Sequence, residues 1–345
     1  MGPGILASET LRSVGGILRN KDMDAFMVRY APKMKELAPR DLVARAMENE
    51  IREGRGVYNP DHDVAHVWID LRHLPETVHR TQIPEVTNFF KRYVNIDPQT
   101  SLCPVRPSCH YHMGGIPTDE YGAVQGSRGQ TVPCLYAIGE CAAASFHGFN
   151  RLGTNSILEL ITMGRFAGEH LLPLLKDRCP DRADSQSGLE LRRIEGYLAA
   201  NGSQSSGRLK NDLKQAMTAH LSVFRTADGI RQCLETLERI RREAQAIAID
   251  NKTLILNPEL LQRWELDNLM DIAEIIARAA LKRKESRGAH YRDDFPERDD
   301  KFVCHHLVAM DRRGKIIFGT RAVDMRLFES SDGHSDKFGL IQRKY

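Results

Sequence analysis

The sequence predicts an α+β protein: a first half of short strands and helices, then an antiparallel helical bundle, then a small C-terminal region with a β-hairpin. Three observations carry this. Val64 to Leu71 alternates Val67, Ile69 and Leu71 against His66, Trp68 and Asp70, the period of a half-buried strand. From Gly188 onward, charged stretches with helical spacing occupy about 189–200, 208–223, 226–248 and 257–283. Val303 to Met310 and Lys315 to Thr320 then flank the turn-like Asp311-Arg312-Arg313-Gly314.

The remaining elements follow in order. Ile17-Leu18 and Ala25-Phe26-Met27 flank Asn20-Lys21-Asp22, which suggests a short hairpin. Pro39 opens a helix through about Glu53, stopped by Gly54, with Leu42, Val43, Ala46, Met47 and Ile51 as its apolar stripe. Arg40 lies in the first turn of that helix, where a cation opposes the macrodipole; the placement hints that it serves an anion. A helix from Glu76 to Val94 is broken or bent at Pro84, and Pro98, Pro104 and Pro107 mark an extended crossing. Val132 to Leu171 is an apolar run ending at Gly139-Glu140, a polar loop with His147, Asn150 and Arg151, and a long apolar segment that reads as a buried helix. That order gathers a carboxylate, an imidazole, a guanidinium and a helix N-terminus, a setting suited to an anion or a nucleotide-type cofactor. Asn201 to Gly207 separates the first two bundle helices, and the tail after Ser330 reads as extended.

Bulk properties exclude several classes. The 345 residues are 41% hydrophobic and 28% charged, a globular composition with room for two or three domains. Forty-nine basic against 46 acidic residues leave a net charge of +3 with no cluster, which argues against nucleic acid as a partner. Arg283-Lys284-Glu285-Ser286-Arg287, the strongest basic run, reads as a solvated face or an interface. Seven scattered cysteines without a C-x-x-C predict reduced thiols and no metal site. No apolar run reaches a membrane span, and MGPGILASET has neither the charged n-region nor the apolar core of a signal peptide.

Chemistry concentrates at Ser8-Glu9 with Arg12, at Arg40, at His110 with Gly114-Gly115, at Glu140, and at Arg151 with the helix start Asn155-Ser156. Arginines can clamp carboxylates bidentately, and a helix N-terminus can hold an anion, so the set suits a small dicarboxylate beside a cofactor that becomes anionic on reduction.

HYHMGGIPTDEYG, LYAIGE, HGFNRLGTNSILEL, ELAPRD and KESRGAHYRDD resemble the flavoprotein subunit of succinate dehydrogenase and fumarate reductase, in order, from about residue 2 to 310. The resemblance is to the C-terminal part of that subunit: no G-x-G-x-x-G of a flavin-binding βαβ unit is present. It implies a capping, substrate-binding domain over 1–100, the returning segment of a FAD-binding domain over 101–180, a helical bundle over 187–285 and a small C-terminal region over 286–345. Arg40 is then the proton donor in interconverting fumarate and succinate by hydride transfer with flavin N5, with Glu9 and Arg12 relaying protons. Ser8, His110 and Arg151 bind the substrate carboxylates. Glu140, Asn155, Ser156 and Ile157 meet FAD, and no metal is implied. Ser8 stands where the family usually has threonine, and Thr10 and Val14 where it often has glycine. The resemblance further implies an iron–sulfur partner subunit and a cytoplasmic location, peripheral to the inner face of the cytoplasmic membrane through other subunits. Two alternatives stand beside it: an inert fragment or binding module unable to hold FAD, and an enzyme like L-aspartate oxidase, which shares the KESRGAH segment.

Overall fold

In the computed structural model, residues 6–60, 64–175, 184–310 and 315–325 are described. They divide into two units, one comprising the chain up to His110 together with Met325 and the other lying within Tyr111–Asp324.

The first unit contains α1 (Thr10–Ser13), β1 (Ile17–Arg19), α2 (Met27–Tyr30), α3 (Arg40–Arg52), β2 (Val57–Asn59), β3 (Val64–Asp70), α4 (Glu76–Thr81), α5 (Pro84–Phe89) and β4 (Cys103–Val105). The alternating strand is central: β1, β2 and β4 all pair antiparallel with β3. Val67, Ile69 and Leu71 turn into a core with Leu11, Leu18, Phe26, Met27, Val43 and Ala46. The stripe read from the sequence is therefore the face by which α3 meets this core, with Leu42 and Ile51 at its margin. The helix expected over 76–94 divides at Pro84 into α4 and α5 and ends in a π-helical turn, Phe90–Val94. The suggested hairpin at Asn20 is reduced to one bridge, Arg19 to Ala25, because Met27 begins a helix and β1 pairs with β3.

The second unit begins with β5 (Ile116–Pro117), β6 (Ala123–Gln125), β7 (Thr131–Tyr136), β8 (Ala142–Ala143) and α6 (Asn155–Leu174). It continues with α7 (Asp184–Ala199), α8 (Ser206–Leu221), α9 (Ala227–Glu243), α10 (Pro258–Lys282), β9 (Cys304–Met310) and β10 (Ile316–Ala322). Leu209, Leu213, Ile230, Leu237, Ile240, Leu266 and Met270 form the shared core of α8, α9 and α10. Side chains cap two of these helices, Thr226 accepting from Gly229 N–H and Asn257 from Leu260 N–H. The C-terminal hairpin is present as the antiparallel pair β9–β10, from Met310–Ile316 to Cys304–Ala322. Its connecting residues and the tail after Ser330 lie outside the described residues.

Three expectations are corrected here. The apolar helix α6 is not buried: only Glu159 and Ala167 are, while Ile157 and Ile161 are 63% and 68% exposed. An apolar helix face is covered only where a second layer exists, and the described residues supply one on the Glu159 side alone. The run Arg283–Arg287 is not a solvated face, since Arg283, Glu285 and Ser286 are buried. Composition could not show this: Glu285 pairs with both Arg283 and Arg287 inside the run, and Arg283 reaches the carbonyls of Phe302 and Cys304. Cys134 is disulfide-bonded, whereas Cys103, Cys109, Cys141, Cys233 and Cys304 are free thiols, so the all-thiol expectation is overturned by the bond at Cys134.

The bundle core sets the first quantitative expectation. Leu266 is fully buried among α8 and α9 residues, so Leu266→Ala should cost about 2–5 kcal/mol. Leu256, 92% exposed, should tolerate alanine within roughly 0.5 kcal/mol. Urea unfolding of both variants measures the difference.

Candidate functional site

In the first unit, Arg12 fixes the approach to Arg40. Its guanidinium donates to the carbonyls of Glu36 and Ala38, the latter at 2.9 Å, just before Pro39 delivers Arg40 into the first turn of α3. Glu9 lies between two cations: its Oε1 is 2.9 Å from Arg12 Nη2 and 2.8 Å from Arg40 Nε. This pairing explains the misplaced cation. The Glu9 carboxylate, from the residue just before α1, compensates Arg40 where the helix dipole does not. Partial burial opposes ionisation of Glu9, but the hydrogen bond and charge of Arg40 and the charge of Arg12 outweigh it and hold the carboxyl below its ordinary range. Burial is also the largest influence on Arg12 and lowers its pKa against the pull of Glu9. Ser8 turns toward its own segment, its hydroxyl 3.0 Å from Thr10 Oγ1 and accepting the Thr10 N–H. His110 is exposed at the end of this unit.

In the second unit, the strand–loop–helix reading from Val132 onward holds in outline, with one change of residue. The carboxylate that meets the imidazole and the guanidinium is Glu159, not Glu140. Glu159 Oε2 accepts from His147 Nε2 at 2.7 Å and from Arg151 Nη1 at 3.2 Å, and all three side chains are nearly inaccessible to solvent. Arg151 also donates from Nε to the His112 carbonyl at 3.3 Å and stacks 3.9 Å from the centre of the Tyr111 ring. Glu140 is exposed in a 3₁₀ turn, Gly139–Cys141, and accepts the His112 N–H at 3.2 Å. Gly115 permits the close approach behind it. At a φ of +148°, a Cβ there would lie 2.3 Å from the Cys141 carbonyl oxygen. Asn155, Ser156 and Ile157 form the first turn of α6, which no side chain caps; Thr154 before it has a φ of +69°.

The structure thus joins Glu9, Arg12 and Arg40 in one unit, and links Arg151 and Glu140 through the His112 backbone in the other. Sequence reading missed Glu159 and Tyr111. Glu159 had a signal: it is the lone carboxylate in the apolar run Ile157–Ile161, a place where a charge is retained only with a partner.

The sequence comparisons bear on what this arrangement belongs to. Residues 1–157 match the family model of a FAD binding domain, and residues 210–345 match that of the fumarate reductase flavoprotein C-terminus. The chain is 40% identical over 330 residues to the succinate dehydrogenase flavoprotein subunit of Rickettsia bellii, aligning 93% of this chain with 55% of that protein. The chain belongs to the succinate dehydrogenase/fumarate reductase flavoprotein family. FAD is the cofactor these matches indicate. The fumarate reductase flavoprotein subunit of a Serratia species is 35% identical over 324 residues, covering 89% of this chain and 53% of the relative. Among solved structures, the FrdA chain of E. coli quinol fumarate reductase superposes with a TM-score of 0.85 at 31% identity, over 94% of this chain and 57% of that one. Sdh1 of Mycobacterium smegmatis, solved in complex with UQ1, gives a TM-score of 0.74 at 30% identity, over 93% and 52% of the two chains. The chain spans about half the length of the relatives it matches. Among the described residues, no helix is long and apolar enough to cross a membrane.

Two expectations follow from the electrostatics. Removing Glu159 leaves the Arg151 guanidinium buried without its carboxylate, so Glu159→Ala should cost about 3–5 kcal/mol, whereas Glu169→Ala, which breaks an exposed i,i+4 pair with Arg165, should cost under about 0.5 kcal/mol. Chemical denaturation of the two variants compares them.

The second concerns His290, buried behind the loop. Its Nδ1 accepts from Arg225 at 3.0 Å and its Nε2–H donates to the Arg283 carbonyl at 3.2 Å. Burial, then the Arg225 charge, pull its pKa down to about 3. The unfolded chain binds a proton below about pH 6.5 that the folded chain refuses until near pH 3. Its contribution to stability should therefore be complete above pH 6.5 and decline between those values. In His290→Gln that part of the pH dependence, read by denaturant midpoints from pH 7 to 4, should disappear.

Proposed function

We propose that this chain is the dicarboxylate-handling part of a fumarate reductase/succinate dehydrogenase flavoprotein, interconverting fumarate and succinate with Arg40 as the proton donor. The observation that carries the reading is the Glu9 carboxylate held between Arg12 and Arg40. A guanidinium, with a pKa above about 12, is normally a poor acid. The carbon centre left when a hydride adds to fumarate is more basic still, so a proton passes to it from Arg40. Arg40 must then recover its proton. Glu9, half-exposed and ionised at neutral pH, connects it to Arg12, and the three form a relay to solvent. The same relay runs in reverse for succinate oxidation.

Ser8, His110 and Arg151 are assigned to the substrate carboxylates, with Glu159 holding Arg151 and His147 in place. The residues present fit FAD. The α6 N-terminus lacks a side-chain cap and is rimmed by exposed Ile157 and Leu158, which suits the polar edge of an otherwise apolar ring system. The exposed Glu140 carboxylate suits a ribose hydroxyl. Bound FAD supplies the hydride exchange at N5. Asn155, Ser156 and the Ile157 backbone would meet the isoalloxazine edge. In this reading 1–100 is the capping domain, 101–180 the returning segment of the FAD-binding domain, 187–285 the bundle and 286–345 the small C-terminal region. The relatives are named as subunits, which supports partner subunits; the reading takes one of them to be an iron–sulfur subunit and others to carry the peripheral attachment to a membrane.

The exposed apolar face of α6 favours a second reading, a binding module that needs a covering layer and does no chemistry alone. Purified with a complementary flavin-binding half, the chain should be yellow and should oxidise a reduced dye when fumarate is added. Arg40→Lys and Arg40→Gln should lower that rate by at least about 10³-fold, the scale of a lost general acid. A rate undiminished by either change would remove Arg40 from the role assigned to it, and a colourless assembly would favour the binding module.

A further inference from the structure

The loop that carries Arg151 is fastened by contacts from outside it. Ser145 and Gly148 both occupy the left-handed region, at φ of +67° and +61°, and a serine there is disfavoured. Three outside contacts fasten it. Glu159 holds His147 and Arg151. At the loop's middle, the Phe149 carbonyl accepts the Ala289 N–H at 2.8 Å, and the Arg283 guanidinium carbon lies 4.5 Å from the centre of the Phe149 ring. At its start, Ser145 Oγ is 2.6 Å from His305 Nε2 on β9.

The last two contacts converge on one segment with a buried charged core. Arg283 donates to the carbonyls of Phe302 and Cys304 at 2.8 and 2.6 Å, immediately before His305, while its guanidinium covers Phe149. Glu285, fully buried, binds Arg283 and Arg287 and accepts the Asp299 N–H at 3.1 Å. Arg292, also buried, donates to the Ala280 carbonyl at 2.9 Å at the end of α10, with Asp294 compensating its charge at 2.7 Å. Gly288 has a φ of +58°, and a Cβ there would come within 2.5 Å of the Phe149 carbonyl oxygen. Only glycine allows that approach.

We propose that the segment 283–292, anchored by its buried Arg283, Glu285 and Arg292, positions the Arg151 loop, with Arg283, Glu285 and Gly288 as positioning residues, so that dicarboxylate recognition is set from outside the loop. The recognition half of this inference rests on the function proposed above; the clamp itself does not.

The test is hydrogen–deuterium exchange on this chain, following peptides over 145–152. Gly288→Ala forces the loop outward, and Phe149→Leu removes the ring beneath Arg283 with little risk to folding. Both should speed exchange in 145–152 at least roughly tenfold while α8 and α9 stay unchanged. Arg278→Gln, on the surface of α10, should alter neither. In the assembly with a flavin-binding half, the same two variants should raise KM for fumarate about tenfold or more, with kcat within about threefold. Unchanged exchange in both variants overturns the clamp, as does equal acceleration through α8 and α9. Faster exchange with an unmoved KM overturns the role in recognition. Absence of fumarate turnover in the unaltered assembly counts against the functional reading alone, and the exchange result still decides the clamp.

Discussion

The constraint on which most of this structure depends is that a guanidinium removed from water must find a carboxylate or a row of carbonyls. Glu159 answers it for Arg151, Glu285 for Arg283 and Arg287, and Asp294 with the last carbonyls of α10 for Arg292. A buried ion pair gains little net stability, because desolvation offsets the attraction; breaking one leaves a charge the interior cannot solvate. Such pairs act less as adhesive than as geometry, since each carboxylate dictates where its arginine can be. The loop 145–151 is met by such pairs, Glu159 holding Arg151 and the Glu285-paired Arg283 lying over Phe149.

The first unit uses the same chemistry at a wetter place. Glu9 is shared between Arg12 and Arg40, and Glu9 and Arg40 keep partial access to solvent. A structural pair would be expected deeper or at the favourable end of α3. Glu50 shows the contrast within one unit: fully buried and met by Arg29, Arg55, Tyr30 and Asn20, it is held down to about 2 despite the opposing penalty of burial. Glu50 ties elements together, whereas Glu9 connects a cation to the surface. That difference in exposure is what recommends Glu9 for moving protons.

Much of the fold was legible in the sequence because it rests on local periodicity. The strand at Val64, the helix after Pro39, the break at Pro84, the four long helices and the terminal hairpin are all patterns of period 2 or 3.6, with proline and glycine as punctuation. Parts of the candidate site left a different kind of signal. His147, Arg151 and the start of α6 lie within a few residues of one another, and Arg40 stood out by opposing its own helix dipole. Glu159 was overlooked because its partners, His147 and Arg151, lie in the preceding loop and meet it only when that loop folds back.

What the sequence determined by itself was therefore the class of fold, the order of elements, and the kinds of charged and polar group offered to an anion. Helical and strand periods, caps and breakers act within a dozen residues, and a chain displays them openly. Only the tertiary structure decided which carboxylate answers which arginine, that α6 exposes its apolar face, and that Arg283, Glu285, Ser286, His290 and Arg292 are buried and not part of a solvated run. Burial depends on the layer a segment meets, and charge pairing on distance in space. Neither quantity is written in the spacing of residues along the chain.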